Sequence, residues 1–337
     1  MANTGDKSSG IWGAVIAGTG SALPEKILTN DDLAHIVETS DEWITARTGI
    51  KERHIVSDED TTATLATEAA RKALEAAGVD ASQLDMIIVA TVTPEMVFPS
   101  TACFVQKELG AIGVCAFDVT AACSGFLYAL SIGTEFVKSG NYSNVLVIGA
   151  ETLSRITNYK DRSSCILFGD GAGAVLLRRT ENTGIGVLCN KMGADGRGWT
   201  SLNCQAYGSR NPVGKPVPDE AMLYMHINGR EVYQLAVRNI VDTVEECLAK
   251  AGVKPADVKK FIPHQMNARI IESVAKRLDF TDEQIFINID KVGNTSSASI
   301  PIALDQCRRQ GKISAGDVVV LVAFGAGLTW GGSVIKF

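Results

Sequence analysis

The chain has 337 residues, 46% of them apolar and 21% charged, a balance that excludes disordered, collagen-like and coiled-coil classes. Its length fits two domains or one large fused unit. Its net charge is −6, with 38 acidic against 32 basic residues, which argues against nucleic acid as the main partner because phosphate binding needs a basic surface.

In chain order, residues 1–10 are polar and lack the apolar stretch of a secretory signal. No apolar run, 318–324 included, approaches the roughly 20 residues of a membrane span. The eight cysteines (103, 115, 123, 165, 189, 204, 247 and 307) form no C-x-x-C and no cluster near a histidine. They read as free thiols in a reducing cytosol, so a cytoplasmic protein with no disulfide frame and no metal site is expected.

The segment "EAAGVDASQLDMIIVA", ending at Ala90, reads as a glycine-capped helix end, a short turn and a buried strand. "FDVTAACSGFLYALSIGTEFVKSG" (117–140) reads as strand, small-residue turn and helix, with the apolar strand "NVLVIGA" after it. "FGDGAGAVLL" (168–177) carries G-x-G-x-G, but no helix opens behind it, so a tight turn between strands is expected rather than a dinucleotide loop. Residues 190–220 lack periodicity and are expected to run over the surface near an entrance.

Farther on, "AKAGVKPADVKKFIPH", ending at His264, repeats the first segment, and "NIDKVGNTSSASIPIALDQCRRQG" (288–311) repeats the second. The apolar "VVVLVAFGAG" follows, and "FGAGLTWGG" again reads as a glycine-rich turn whose backbone N–H groups could approach a ligand closely. Gly78 and Gly252 lie 174 residues apart, as do Ala90 and His264. Aligning Gly140 with Gly311 gives an offset of 171 and places Cys123 opposite Asn294. A duplicated α/β unit is therefore expected, with one half over 13–179 and the other over 184–337. Its near-continuous apolar strands predict a largely parallel sheet covered on both faces.

Cys123 lies among small residues at the start of a helical stretch, where partial positive charge and free N–H groups stabilise a thiolate. A buried structural cysteine is the competing reading. Of the four histidines, only His264 ends a strand-like segment inside a repeat. If the halves pack about a pseudo-twofold axis, Cys123, His264 and Asn294 converge, and a thiol, an imidazole and an amide form a coherent set for acyl transfer.

The stretches "TSDEWITARTGI", "FDVTAACSGF", "FGDGAGAV", "IPHQMNARI", "GNTSSASIP" and "FGAGLTWG" occur in this order from Thr39 to Gly331. Together they resemble the β-ketoacyl-acyl-carrier-protein synthase III family, the initiating condensing enzymes of bacterial type II fatty-acid synthesis. The resemblance implies a thiolase-like α/β fold, duplicated, in five αβαβα layers. It implies that Cys123 takes the acyl group from acyl-CoA, and that His264 and Asn294 serve the decarboxylation of malonyl-acyl carrier protein. The backbone N–H groups of Cys123 and Ala326 would form the oxyanion hole; the family often has glycine at the latter position.

By the same resemblance, Trp43 and Arg162, with Arg47 nearby, would stack on the adenine of CoA. Asn267 would line the pantetheine tunnel and Arg269 its mouth. Phe98 would reach the acyl pocket of the other subunit of a homodimer. Acyl carrier protein is acidic, and Arg269, Lys276 and Arg277 share a helical face that could dock it. No metal or redox cofactor is implied. A specialised Cys-His-Asn condensing enzyme of polyketide or alkylquinolone-type metabolism, with a different primer or a CoA-bound extender, is the alternative.

Overall fold

The computed structural model describes residues 12–206 and 208–337; the polar start at 1–10 lies outside them. Strand β1 (Gly13–Ala22) leads into a small ribbon of β2 (Ile27–Thr29) and β3 (Glu52–His54), which brackets helices α1 (Asn30–Ala34) and α2 (Asp41–Thr48). Helix α3 (Thr62–Ala77) follows, then β4 (Met86–Ala90), α4 (Thr101–Leu109), β5 (Cys115–Val119), α5 (Gly125–Lys138), β6 (Asn144–Thr152), α6 (Arg162–Cys165) and β7 (Asp170–Thr180).

Helix α3 starts where the Thr61 side chain accepts from the Thr64 N–H, and it ends at Gly78, whose φ of 62° closes the last turn. Five strands form one sheet in the order β1-β7-β6-β4-β5.

The second stretch opens with β8 (Gly186–Ala194) and a short ribbon of β9 (Leu202–Cys204) and β10 (Met225–Ile227). Helix α7 (Gly229–Ala251), β11 (Val258–Pro263), α8 (Ala268–Arg277), α9 (Ile289–Val292), α10 (Ser299–Arg309), β12 (Val318–Gly325) and β13 (Thr329–Lys336) complete the chain. Here the sheet order is β8-β13-β12-β11, with an isolated bridge from Phe261 to Ile285 on the β11 edge. That bridge occupies the place β5 holds in the first sheet.

Helices α5 and α10 lie between the two sheets, α3 and α4 cover the outside of the first, and α7 with α8 covers the second. The result is the five-layer arrangement expected of the family. Its strands alternate between two cores. In β4, Met86, Ile88 and Ala90 face the central helices while Ile87 and Val89 face the outer ones. In β12, Val319, Leu321 and Ala323 face inward and Val320, Val322 and Phe324 outward. Both faces are therefore apolar, which is why the strands read as unbroken hydrophobic runs.

Four expectations need correction. The sheets are mixed rather than largely parallel: β4 pairs in parallel with β5 and β6, and β11 with β12, but β1–β7, β6–β7, β12–β13 and β13–β8 are antiparallel. Burial on both faces produces the same apolar run whichever way a strand points. Gly171 and Gly173 of "FGDGAGAV" lie inside β7, not in a turn, and Gly169 immediately precedes it. A Cβ on Gly173 would stand 2.6 Å from the Ile302 nitrogen and the Pro301 carbonyl carbon, so the glycine lets α10 lie directly on the sheet.

Residues 190–194 belong to β8 and continue its ladder on β13, so the surface excursion begins later than expected. Finally, the second repeat lacks a strand at 288–292, where α9 forms instead.

The repeat register changes too. Ala122 and Ser296 are both left-handed, with φ of 45° and 48°, and each opens a single 3-10 turn (Ala122–Ser124 and Ser296–Ala298) before α5 and α10. These positions are 174 apart, the spacing of Gly78 and Gly252, so Cys123 is matched by Ser297 and not by Asn294. Helix α5 has 14 residues and α10 has 11, and that shortening displaces an alignment anchored on the terminal glycines.

Candidate active site

Cys123 occupies the turn between β5 and α5 and is 9% exposed. The hairpin joining β12 to β13 closes over this turn. Thr329 donates through Oγ1 to the carbonyl of Ala121 at 2.9 Å, and Ser124 donates to the carbonyl of Thr329 at 3.1 Å. A Cβ on Gly325 would lie 2.8 Å from both the Cys123 nitrogen and its Cβ, so only glycine admits the hairpin this close. Ala326, the next residue, lines the same cavity as Cys123.

That cavity holds about 540 Å³ and is mainly apolar, with Val92, Leu153, Ile156, Phe168, Leu202 and Met225 among its walls. Leu202, Cys204, Leu223 and Met225 come from the segment between β8 and α7, and the first two fall in the stretch expected to run near an entrance. Cys204 is a second thiol on this cavity that the sequence reading did not single out.

Neither Asn294 nor His264 is among the residues that line this cavity; Asn294 is bonded to the residues on either side of one that is. Its backbone N–H donates to Leu167 at 2.9 Å, and its carbonyl accepts from Gly169 at 3.0 Å, bracketing the cavity residue Phe168. Its Oδ1 accepts from the Ser296 N–H at 2.9 Å, which leaves the amide NH2 as its donor.

His264 follows β11, with its N–H donating to Val322 at 2.8 Å, and is 1% exposed. The next residue, Gln265, donates its backbone N–H to the Ser299 hydroxyl at 2.8 Å, at the head of α10. Neither imidazole nitrogen has a hydrogen-bond partner among the described residues. Burial lowers the His264 pKa to about 3, so the ring is neutral at ordinary pH.

The thiol differs from expectation. Burial pushes Cys123 up to about 12, the Ser296 hydroxyl pulls it back, and the charge of Glu151 raises it further. The helix start alone therefore does not give a resting thiolate, because desolvation of the charged sulfur outweighs it. Glu151 is fully buried at the end of β6. Burial raises its pKa too, while hydroxyls of Thr93 and Ser297 and the N–H of Val92 oppose the rise. Ser296 and Glu151 escaped the sequence reading, although a carboxylate closing the apolar strand "NVLVIGAET" was a usable signal.

At the surface, Trp43 on α2 lies under the guanidinium groups of Arg47 at 4.2 Å and Arg162 at 4.8 Å from the ring centre. Asn267 caps α8 by accepting from the Arg269 N–H, and its amide donates to the Arg47 carbonyl at 3.1 Å. Arg269 also reaches the Ala46 carbonyl, at 2.6 Å. Helix α8 is thus tied to the helix that carries Trp43. Arg269, Lys276 and Arg277 are all exposed on α8.

Phe98 is 81% exposed beside Val97 at 84% and does not line its own chain's cavity. Among the described residues no group of three or more His, Cys, Asp or Glu could hold a metal ion, and no helix is long and apolar enough to cross a membrane.

Family models for 3-oxoacyl-[acyl-carrier-protein] synthase III match residues 117–196 and, for its C-terminal part, 248–337. The β-ketoacyl-[acyl-carrier-protein] synthase III of Caldanaerobacter subterraneus is 54% identical over 324 residues, covering 96% of this chain and 98% of that protein. That of Xanthomonas campestris is 51% identical over 322 residues, covering 96% and 98%. The chain belongs to the β-ketoacyl-[acyl-carrier-protein] synthase III family.

The crystal structure of the family member from Aquifex aeolicus superimposes with a TM-score of 0.90 at 49% identity, covering 96% of this chain and all of the other. The Thermus thermophilus synthase III gives 0.90 at 40%, covering 96% and 99%. As a member of this synthase III family the protein is an acyl-transferring condensing enzyme of fatty-acid biosynthesis with the thiolase fold.

Proposed function

We propose that the protein primes fatty-acid synthesis by condensing an acyl-CoA, acetyl-CoA in the first instance, with malonyl-acyl carrier protein to give 3-oxoacyl-acyl carrier protein, CoA and carbon dioxide. The observation that carries this reading is the Cys123 turn, pressed against the Gly325–Ala326 hairpin on an apolar cavity. Attack by the sulfur on a thioester builds negative charge on oxygen, and the N–H groups of Cys123 and Ala326 would meet it. One such donor is worth about 10²–10³ in rate.

The second half-reaction needs donors to an enolate oxygen. Neutral His264 and the free amide of Asn294 suit that role, because both donate without first gaining a proton. The CoA and carrier-protein thioesters are substrates, and no further cofactor enters the cycle. Trp43 with Arg162 and Arg47 would hold the adenine end of CoA, Asn267 the pantetheine, and the basic face of α8 (Arg269, Lys276, Arg277) the acidic carrier protein. Two chains would associate so that Phe98 of one completes the acyl pocket of the other, in the cytoplasm.

The alternative in secondary metabolism is less favoured. A priming β-ketosynthase of the R1128 polyketide pathway shares the fold at TM-score 0.90 but only 33% identity, against 50–54% for synthase III relatives. The test is mass spectrometry after incubation with acetyl-CoA. One acetyl group should appear on the peptide bearing Cys123 and be absent from Cys123→Ala; an adduct that persists on the variant overturns the assignment.

A further inference from the structure

Arg53 is a buried cation for which the condensation chemistry above has no use. It sits in the β2–β3 ribbon at 0% exposure, and no carboxylate pairs with it among the described residues. Burial pulls its pKa down to about 10, so the guanidinium is still charged at ordinary pH. A charge kept in the interior without a counter-ion is costly, and it persists where hydrogen bonds fix it. The fork donates to the Leu28 carbonyl at 3.1 Å, the Asn30 side-chain carbonyl at 2.9 Å and the Ile166 carbonyl at 2.8 Å.

The Ile166 contact leads to Asn294. The residues just beyond Ile166 bridge to the second half of the chain, where Leu167 and Gly169 hold the Asn294 backbone on either side of Phe168. Arg53 packs on that bridge as well. A Cβ on Gly169 would stand 3.1 Å from the Arg53 Cβ, and one on Gly293 would stand 3.2 Å from it. The same added atoms would meet the Val292 carbonyl oxygen at 2.5 Å and the Leu167 carbonyl oxygen at 3.0 Å. Two glycines therefore let the bridge close on the root of the Arg53 side chain while its tip holds Ile166.

The Asn30 contact leads to α2. Asn30, 1% exposed, donates its amide to the Asp41 carboxylate at 2.8 Å and to the Ile50 carbonyl at 2.7 Å. It thus grips the first residue of α2 and the residue beyond its Gly49 cap, with Trp43 and Arg47 between the two anchors. The Cys123 turn is held separately, by the Thr329 and Ser124 bonds to the β12–β13 hairpin. None of the three acceptors of Arg53 takes part there.

We propose that Arg53 is a positioning residue that joins α2, the platform for CoA, to the backbone bridge carrying the Asn294 amide. It lines no part of the Cys123 cavity. It acts through Asn294 on the decarboxylation half-reaction and through α2 on the binding of CoA. Arginine suits the task because its rigid planar fork carries several donors in fixed directions. A lysine ammonium, a compact point charge on a flexible stem, does not reproduce that geometry. Loosening the fork shifts the Asn294 amide relative to the enolate oxygen and leaves the sulfur in place.

This inference rests on the priming reading, and one set of measurements separates the two. Arg53→Lys and Asn30→Ala are compared with wild type. Acetylation of Cys123 is followed by rapid quench with acetyl-CoA varied, and carbon dioxide release is measured from saturating malonyl-carrier protein. Arg53→Lys should lower the maximal rate of decarboxylation about 10- to 100-fold, the scale of an ångström's displacement at the reacting centre. Acetylation should keep its maximal rate while KM for acetyl-CoA rises, the signature of lost uniform binding. Asn30→Ala, whose side-chain bonds meet no residue of the Asn294 segment, should show the same split in smaller measure.

Decarboxylation at the wild-type rate in Arg53→Lys overturns the positioning role and leaves the priming reading standing. A loss in which both maximal rates fall in step with melting temperature also overturns it, and marks a structural cation only. If Arg53→Lys does not fold, Asn30→Ala decides alone, because it keeps the arginine. Wild-type protein that takes no acetyl group from acetyl-CoA overturns the priming reading and the inference together.

Discussion

His264 shows how a single buried side chain ties chemistry to stability. Its imidazole is neutral when folded, with a pKa near 3, against about 6.5 for a histidine in an unfolded chain. The sign follows from linkage. Between these values the unfolded chain binds a proton that the folded chain refuses, so stability is whole above about pH 6.5 and is lost as pH falls toward 3, at about 1.4 kcal/mol per pH unit. His264→Asn should lack this acid sensitivity. Melting curves of the two proteins from pH 7 to pH 4 should converge, and parallel curves would show that the ring is not held neutral.

Which residues mattered was partly legible at this scale. Cys123 and His264 stand out by position in a repeat, whereas Ser296 sits in a run of small hydroxyl residues that gives no hint which one lines the cavity with Cys123. That choice is made by a left-handed backbone torsion, which composition and periodicity do not encode.

Elements carry a second lesson, about closeness. The β12–β13 hairpin can lie over the Cys123 turn only because Gly325 has no side chain. Gly325→Ala should force the hairpin off the turn, move the Ala326 N–H away from the oxyanion position and slow acylation at least tenfold, with an overpacking cost of about 1–3 kcal/mol. A burst assay with acetyl-CoA together with thermal melting checks this; an unchanged burst would mean that the hairpin does not set the oxyanion geometry.

Element identity was largely readable: capped helix ends, the small-residue turn before α5 and the apolar strands all form. Strand direction was not, because β4 and β12 are buried on both faces and an apolar run is the same read either way. Register was misread through the glycine that ends α10, since that helix is three residues shorter than α5.

Across the whole molecule, the charges of α8 divide by position. Arg269 is bound to the Ala46 carbonyl and so helps hold α2, with Trp43 and Arg47, in place. Lys276 and Arg277 lie at the far end of the helix and are exposed. Reversing those two, Lys276→Glu with Arg277→Glu, should raise KM for the carrier-protein substrate and weaken its salt dependence while leaving KM for acetyl-CoA unchanged. Steady-state kinetics with each substrate varied in turn would show it, and equal effects on both would place docking elsewhere.

The pairing of Cys123 with Ser297 has a consequence for how such a molecule came to work. Duplication supplied two equivalent elbows, and a chemically competent pair of clefts would have been the symmetrical outcome. Instead the Ser297 oxygen is sealed against the Ala90 carbonyl and Glu151 in the interior. One copy kept the reactive atom at a cleft, and the other gave up access to brace its sibling from within. The asymmetry between the doubled halves is thus written in which elbow opens on the cavity.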